Sequence, residues 1–262
     1  MIPKKIHYCW FGGNPLPELA QKCIERWKKY CPDYEIIEWN EQNFDLNCCD
    51  YVKEAYAAKK WAFVSDVARL YALVTQGGIY MDTDVEVLRP MDDILERCEA
   101  VSGFETDTSI PTGLMGCCAH HPLFEELLHD YDDAHFLKED GTPDLTTNVV
   151  RITNTCLKYG LKLDNTLQTV AGFTLFPKDY FCPKDSTTRE LHLTENTYTI
   201  HHFDGSWHSP EDRTFGEYRR KLSRFLPMGI SGYIARAMAA VKHRGVRGLV
   251  SRAAGFVRNR IK

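Results

Sequence analysis

Apolar residues recur every three or four positions in two early segments of the chain, which predicts amphipathic helices at 17–30 and 61–75. Short apolar runs predict strands at 5–10, 34–39, 79–82, 85–88 and 99–104. A later helix is predicted at 121–136 and a later strand at 197–202. Because strands alternate with helices through residues 1–104, we expect an α/β fold with a mostly parallel central sheet.

The end of the chain differs from the rest in charge. Residues 217–262 hold 12 basic residues and one acidic residue, whereas residues 1–216 hold 20 basic and 35 acidic residues. Apolar residues at 226, 230, 234 and 238 have helical spacing, as does a second set after Gly245. We therefore predict a domain at 1–216 and a basic amphipathic helical tail at 217–262. This pattern favours a helix lying on an anionic membrane surface. A helical pair packed on the acidic domain and a nucleic-acid-binding arm are the alternatives.

Composition and cysteine spacing narrow the class of protein. Of the 262 residues, 44% are hydrophobic and 26% are charged, which is typical of a globular domain and excludes a disordered or coiled-coil chain. No apolar run approaches the roughly 18 residues of a membrane span, and we expect no signal peptide. The ten cysteines include no C-x-x-C pair. We therefore expect reduced thiols, no zinc site and a cytoplasmic protein, peripheral at the inner face of the cell membrane.

Two acidic residues, Asp82 and Asp84, stand two positions apart where the strand after Gly77 and Gly78 ends. Like charges this close repel each other, and a cation beside them relieves the repulsion. Carboxylate oxygens suit Mg²⁺ or Mn²⁺, which favour phosphate as a further ligand. Because ligands of open α/β sheets bind beyond the carboxyl ends of the strands, we interpret this pair as a cation site. Two solvated acids in a turn are the alternative.

A second acidic residue pairs with a basic one on the preceding predicted helix. Asp66 and Arg69 lie three positions apart and so share a helix face, beside the apolar stripe. Alone, they would form a surface ion pair of little energetic value. Next to a cation and a diphosphate, a planar guanidinium and a carboxylate would be suited to bind sugar hydroxyl groups.

Four segments carry a family pattern, in order and at the expected spacing: IHYCWFGG at 6–13, WN at 39–40, AFVSD-x-x-RL at 62–70 and GGIY-x-D-x-D at 77–84. Together they resemble the DXD sugar-binding region of glycosyltransferase family 32. That family includes bacterial capsule and exopolysaccharide transferases and yeast mannosyltransferases, and it is similar to the glucosyltransferase domain of clostridial toxins. The resemblance implies a GT-A fold for residues 1–216, a nucleotide-sugar donor and Mn²⁺ or Mg²⁺ as cofactor.

The resemblance also implies roles in donor binding. Trp10 would stack on the base, expected to be uracil, with a buried core aromatic as the alternative. Asp66 and Arg69 would bind the donor sugar, and Tyr80 would lie near them.

Further roles implied by the resemblance concern the cation and the diphosphate. Asp82 would contact the ribose and a metal-bound water, and Asp84 would bind the cation directly. In the segment 200–207, which is similar to the family's closing loop, His201 would complete the metal ligands, with His202 as the alternative. Ser206 and Trp207 would lie over the diphosphate.

One further candidate, Asn148, is assigned to the acceptor side of the site. These inferences predict a metal-dependent, retaining hexosyltransferase with four catalytic residues: Asp66, Arg69, Asp82 and Asp84. It would move a sugar from a nucleotide-sugar, expected to be a UDP-sugar, to a glycan or lipid-linked oligosaccharide in polysaccharide biosynthesis, with no nucleic-acid partner.

Two other functions are compatible with parts of the sequence. The segment 79–85 also matches the nucleophile motif of haloacid-dehalogenase-like phosphatases, in which Asp82 would be phosphorylated and Asp84 would act as acid and base. Those enzymes require a later Gly-Asp motif, and this dipeptide does not occur in the chain. A non-catalytic module that binds sugar nucleotides is the second alternative.

Overall fold

The structure is a computed structural model that describes residues 1–110, 113–205 and 210–258. The chain divides into two compact units, Met1–Asp204 and Gly205–Lys262. This division falls between Asp204 and Gly205, whereas the domain boundary expected at 216/217 lies inside a helix, Pro210–Ser223.

The elements expected from the apolar pattern are present in the first unit. Its strands are β1 (Lys5–Cys9), β2 (Glu35–Trp39), β3 (Gly78–Met81), β4 (Val85–Val87), β5 (Ala100–Gly103), β6 (Leu114–Cys117), β7 (Gln168–Val170), β8 (Phe173–Phe176) and β9 (Thr199–His201). Its helices are α1 (Glu18–Tyr30), α2 (Asp50–Ala57), α3 (Trp61–Gln76), α4 (Asp92–Leu95), α5 (Pro122–His129), α6 (Asn148–Lys158) and α7 (Lys178–Phe181). The second unit contains α8 (Pro210–Ser223) and α9 (Met228–Arg258).

The predicted α/β architecture is confirmed. Within residues 1–110 and 113–205, seven strands form one sheet in the order β2-β1-β3-β6-β5-β8-β7, and β4 pairs with β9 in a second, two-stranded sheet. Five of these seven strands point the same way, while β6 and β7 run antiparallel to their neighbours. The carboxyl ends of β1, β3 and β5 therefore meet at one edge of the sheet.

Apolar side chains cover both faces of the central sheet. Along β3 the pleat sends Tyr80 into one hydrophobic cluster and Ile79 and Met81 into the other. Helix α3 packs on the face that Tyr80 shares, and it is buried so fully that Asp66 and Arg69 are 8% and 5% exposed. We expected Asp66 and Arg69 to lie beside the core face of this helix. The structure instead buries both side chains.

A double glycine joins α3 to β3. Gly77 and Gly78 have φ of +63° and +104°, values that favour glycine, and a Cβ at Gly77 would lie 2.6 Å from the backbone nitrogen of Ala119. The imidazole of His7 donates from Nε2 to the Gly77 carbonyl (2.8 Å) and accepts at Nδ1 from the indole of Trp39 (3.1 Å). Helix α3 ends at Gln76, one residue beyond the end expected from the apolar pattern, and this turn determines where β3 begins.

The helix predicted at 121–136 is shorter in the structure. Helix α5 ends at His129, and three aspartates at 130, 132 and 133 follow it in turns. Aspartate favours turns because its side chain competes for backbone hydrogen bonds. The turns still bury Tyr131 and Phe136 in the core. The apolar pattern therefore predicts the burial of these residues correctly but overestimates the length of the helix.

The second unit is a pair of helices with a break. Gly245 has φ of +70° and interrupts α9. Before the break, the face of α9 that is buried consists of small residues, namely Ser231, Ala235, Ala239 and Ala240. Three apolar positions of the expected stripe, Ile230, Ile234 and Met238, are 52%, 39% and 43% exposed. None of the helices in the described ranges is both long and apolar enough to cross a bilayer.

Candidate functional site

The two acids of the D-x-D segment lie in the turn between β3 and β4. The backbone N–H of Asp82 donates to the Gly113 carbonyl (2.8 Å), and that of Val85 donates to the Asp82 carbonyl (2.9 Å). Asp84 immediately precedes β4, and β4 pairs with β9 so that Val85 lies opposite His201. As a result, Nε2 of His201 is 3.4 Å from Oδ1 of Asp84.

These side chains form a set that suits a divalent cation. One donor atom from each of Asp82, Asp84 and His201 lies within 4.8 Å of the other two. Two carboxylates and one imidazole match the ligand preferences of Mn²⁺, and the carboxylates suit Mg²⁺ as well. The residues present therefore fit the cation that the D-x-D pattern implies.

Strong electrostatic coupling joins Asp84 to His201. Burial opposes the charge of Asp84, but His201 and the backbone N–H of Asp204 (2.8 Å from Oδ2) outweigh it and lower the pKa of Asp84 to about 2. Burial likewise opposes the charge of His201, yet Asp84 raises the pKa of this imidazole well above its usual value. The two side chains are thus an ion pair at neutral pH when no cation is bound.

A buried guanidinium connects the helix residue Asp66 to the turn residue Asp82. Nη2 of Arg69 lies 3.2 Å from Asp66, and Nη1 lies 3.4 Å from Asp82. The guanidinium also stacks 4.5 Å from the centre of the Tyr80 ring, and the Tyr80 hydroxyl donates to Oδ1 of Asp82 (2.8 Å). Four of the residues expected at the site therefore form one continuous network.

The environment of this network sets its protonation. Burial raises the pKa of Asp66 to about 6, although Arg69 opposes the rise. Burial also raises the pKa of Tyr80 well above its usual value, so this phenol remains a neutral hydrogen-bond donor. A solvated surface ion pair, the alternative for Asp66 and Arg69, does not describe these residues.

Trp10 and Asn148 lie in different relations to the network. Trp10 follows β1 and so lies at the same sheet edge as Asp82, half-buried, with its indole N–H donating to the Asn14 carbonyl. Asn148 donates from Nδ2 to the backbone carbonyl of Asp66 (3.1 Å), which brings it to the predicted sugar-binding side.

The remaining predicted residues belong to the segment around β9. His201 joins the two aspartates, whereas Nε2 of His202 lies 2.9 Å from Glu86 and outside that set. The geometry therefore favours His201 over His202. Ser206 and Trp207 lie outside the described residues.

Sequence reasoning missed two residues at this site. A Cβ on Gly113 would lie 2.9 Å from Nδ1 of His201 and 3.4 Å from Oδ2 of Asp82, and no sequence signal marked this glycine. Glu105 follows β5 at the same sheet edge as Asp82. Glu105 could have been found by applying the strand-end rule to the predicted strand 99–104.

One known protein family matches the part of the chain that contains the D-x-D turn. Residues 17–100 match the family model described as the glycosyltransferase sugar-binding region containing the DXD motif. Residues 17–100 belong to that family. The DXD region thus includes Asp66, Arg69, Tyr80 and both aspartates of the turn, and the resemblance to family 32 is confirmed.

Several curated relatives of this chain are transferases or synthases by name. The chain is 30% identical over 200 residues to mannosyl phosphorylinositol ceramide synthase CSH1 of Saccharomyces cerevisiae, covering 69% of this chain and 49% of that protein. It is 26% identical to inositol phosphoceramide mannosyltransferase 2 of Schizosaccharomyces pombe, covering 80% of this chain and 59% of that protein. The chain therefore spans about half the length of these relatives.

A solved structure of a glycosyltransferase involved in the glycosylation of the major capsid of PBCV-1 is also similar. It is 12% identical, with a TM-score of 0.45, and the match covers 78% of this chain and 95% of that one. The prediction of a transferase agrees with the family match and with the names of the relatives.

Proposed function

We propose that the protein is a metal-dependent glycosyltransferase that moves a sugar from a nucleotide-sugar, a UDP-sugar by our expectation, to a hydroxyl acceptor. The observation that carries the proposal is the convergence of Asp82, Asp84 and His201 within 4.8 Å. This convergence occurs beside the buried Asp66–Arg69 pair of a DXD region. Cation ligands and a sugar-binding pair are the two parts that such a transfer needs.

The cation ligands would act on the leaving group. Asp84 and His201 would hold Mn²⁺ or Mg²⁺ directly, and Asp82, fixed by Tyr80, would contact the ribose and the hydrated cation. When bound, the cation supplies charge neutralisation for the departing nucleoside diphosphate. Ser206 and Trp207 are proposed to cover the diphosphate, and Trp10 to stack on the base.

The sugar would meet groups whose positions are already fixed. Arg69 is held by Asp66, Asp82 and the Ser65 carbonyl, so its guanidinium cannot reorient freely. Asp66 would accept hydrogen bonds from sugar hydroxyl groups, and Asn148, anchored to its backbone, would lie beside it. Such preorganised groups favour the transition state because they need not rearrange during the reaction.

The family resemblance leads us to propose retention of configuration. Asp66 is paired with Arg69 and buried, which makes it a poor nucleophile toward the anomeric carbon. The acceptor hydroxyl would therefore attack from the face of the leaving phosphate, which takes the proton. Isolation of a covalent glycosyl-enzyme after rapid quenching would contradict this route.

Donor hydrolysis tests the proposed activity. UDP release from a panel of UDP-sugars with Mn²⁺ would be compared between wild type and Asp84→Asn, with Asp107→Asn, an exposed acid, as the matched control. Loss of a ligand should reduce UDP release on the order of 100-fold or more. Equal release by Asp84→Asn and wild type would contradict the proposal. Release of phosphate from a generic phosphomonoester, with no UDP release, would instead support the phosphatase alternative.

We further propose that the acceptor is a lipid-linked oligosaccharide or glycan, met by a cytoplasmic enzyme at an anionic membrane surface. Two aromatic side chains of the second unit, Phe225 and Tyr233, are 85% and 84% exposed, near the exposed apolar positions of α9. Apolar anchors beside an excess of basic residues are typical of interfacial helices. Two curated relatives carry a lipid in their names, a mannosyl phosphorylinositol ceramide synthase and an inositol phosphoceramide mannosyltransferase, which supports the proposal of a lipid acceptor.

Vesicle binding tests the membrane proposal in the full-length protein. The double variant Phe225→Ser/Tyr233→Ser should bind vesicles containing phosphatidylserine at least about tenfold more weakly than wild type. Its donor hydrolysis should be unchanged. Equal vesicle binding by the two proteins would contradict the proposal.

A further inference from the structure

Glu105 occupies the same edge of the sheet as the D-x-D turn. It is the second residue after β5, as Asp82 is the first residue after β3, and both strands point the same way. Only β6 separates these two strands in the sheet. The topology therefore brings a third carboxylate to the edge where the proposed cation site lies.

The start of β6 contacts the D-x-D turn. Gly113 precedes β6, and its carbonyl accepts the backbone hydrogen bond of Asp82. Where its Cβ would be, the nearest atoms belong to His201 (2.9 Å) and Asp82 (3.4 Å). Because a glycine stands here, this residue adds no side chain beside His201 and Asp82.

The carboxylate of Glu105 has no partner that would explain its position. Its backbone N–H donates to the Ser109 carbonyl (2.9 Å), but neither side-chain oxygen forms a hydrogen bond or ion pair with any residue of the described ranges. Burial raises the pKa of Glu105, His201 opposes the rise, and Asp82 and Asp84 add to it, so Glu105 interacts electrostatically with all three residues of the proposed cation site. A carboxylate that is not paired with a side chain remains available to accept hydrogen bonds from water, including water bound to a nearby cation.

We propose that Glu105 is a positioning residue of the cation site that acts through water rather than by direct coordination. The set of mutually close donor atoms contains Asp82, Asp84 and His201 and does not contain Glu105, which argues against a direct ligand. Mg²⁺ and Mn²⁺ keep several waters in protein sites, and carboxylates beyond the ligands commonly accept hydrogen bonds from them. The inference rests on the proposed function, because it assigns Glu105 to the same cation.

Metal binding without nucleotide tests this role independently of catalysis. Mn²⁺ affinity of the full-length protein would be measured by electron paramagnetic resonance for wild type, Glu105→Gln and Asp107→Asn. Asp107 is on the same loop and exposed, so its variant removes one charge nearby without altering the site. We expect Glu105→Gln to bind Mn²⁺ about 10- to 100-fold more weakly, and Asp107→Asn to bind like wild type. Equal affinity of Glu105→Gln and wild type would overturn the proposal.

Two further measurements separate the outcomes. Water-proton relaxation should report the same number of waters on bound Mn²⁺ in Glu105→Gln as in wild type, whereas an added water would mean direct ligation and refute the role through water. Asp84→Asn is the benchmark for the site itself. If Asp84→Asn binds Mn²⁺ like wild type, the proposed function fails; if only Glu105→Gln is unaffected, the inference on Glu105 fails alone.

Discussion

Replacing Gly113 with alanine should weaken the cation site while leaving the fold in place. The new Cβ would lie 2.9 Å from Nδ1 and 3.0 Å from Cε1 of His201. Ordinary contacts between such atoms are about 3.5 Å, so the imidazole must move by roughly 0.6 Å. Metal–ligand distances tolerate only about 0.2 Å, and so the ring cannot keep its place in the ligand set. We expect Mn²⁺ affinity to fall about 10- to 100-fold, equivalent to about 1.4–2.8 kcal/mol.

Calorimetric titration with Mn²⁺, together with thermal unfolding, tests this expectation. Gly116→Ala is the matched control, because its Cβ would lie 3.2 Å from the Gly78 carbonyl oxygen, within the sheet and away from any cation ligand. Both variants should lose about 1–3 kcal/mol of stability through overpacking. Only Gly113→Ala should lose metal affinity. If it binds Mn²⁺ as tightly as wild type, our assignment of His201 to the cation is refuted.

Three further predictions concern charge and protonation. Arg69→Lys should lower UDP release on the order of 100-fold, because one ammonium cannot replace two guanidinium nitrogens that hold separate carboxylates; unchanged kinetics would contradict this. Burial lowers the pKa of His7, so its contribution to stability is complete above about pH 6.5 and is lost below it. The free energy of unfolding, measured with urea, should therefore depend more steeply on pH between 7 and 5 in wild type than in His7→Gln. Equal slopes would refute the lowered pKa of His7. Because Asp84 raises the pKa of His201, Mn²⁺ binding at pH 7 should release about one proton. Calorimetry in buffers of different ionisation enthalpy measures this release, which should be absent in His201→Gln.

The sequence allows a prediction of those site residues that directly follow a predicted strand. Asp82 and Asp84 follow β3, and their position at the sheet edge follows from the direction of a parallel strand. The burial of Asp66 and Arg69 was not predictable from helix periodicity, since α3 is covered on more than its apolar stripe. A polar pair within a buried helix looks in sequence like the solvent-facing side of that helix.

Long-range pairing explains what the sequence left open. Strands β6, β7 and β8 have three or four residues each, too few for a clear alternation of apolar and polar positions. Without β6 the role of Gly113 could not be seen, and without α6 Asn148 could only be assigned to the acceptor side rather than beside Asp66. Family resemblance supplied His201, but the pairing of β9 with β4 supplies the reason for choosing it over His202.

The two-stranded sheet makes the cation site a junction between distant parts of the first unit. Strand β4 directly follows the D-x-D turn, and β9 pairs with it from more than a hundred residues later. Two hydrogen bonds strengthen this junction: the backbone N–H of His202 donates to the Asp84 carbonyl, and that of Asp204 donates to the Asp84 carboxylate. Asp84 is thus held by the same segment that provides the imidazole. A cation bound there would strengthen a connection that already exists in its absence, so ligand affinity should be sensitive to changes in β9 as well as in the D-x-D turn.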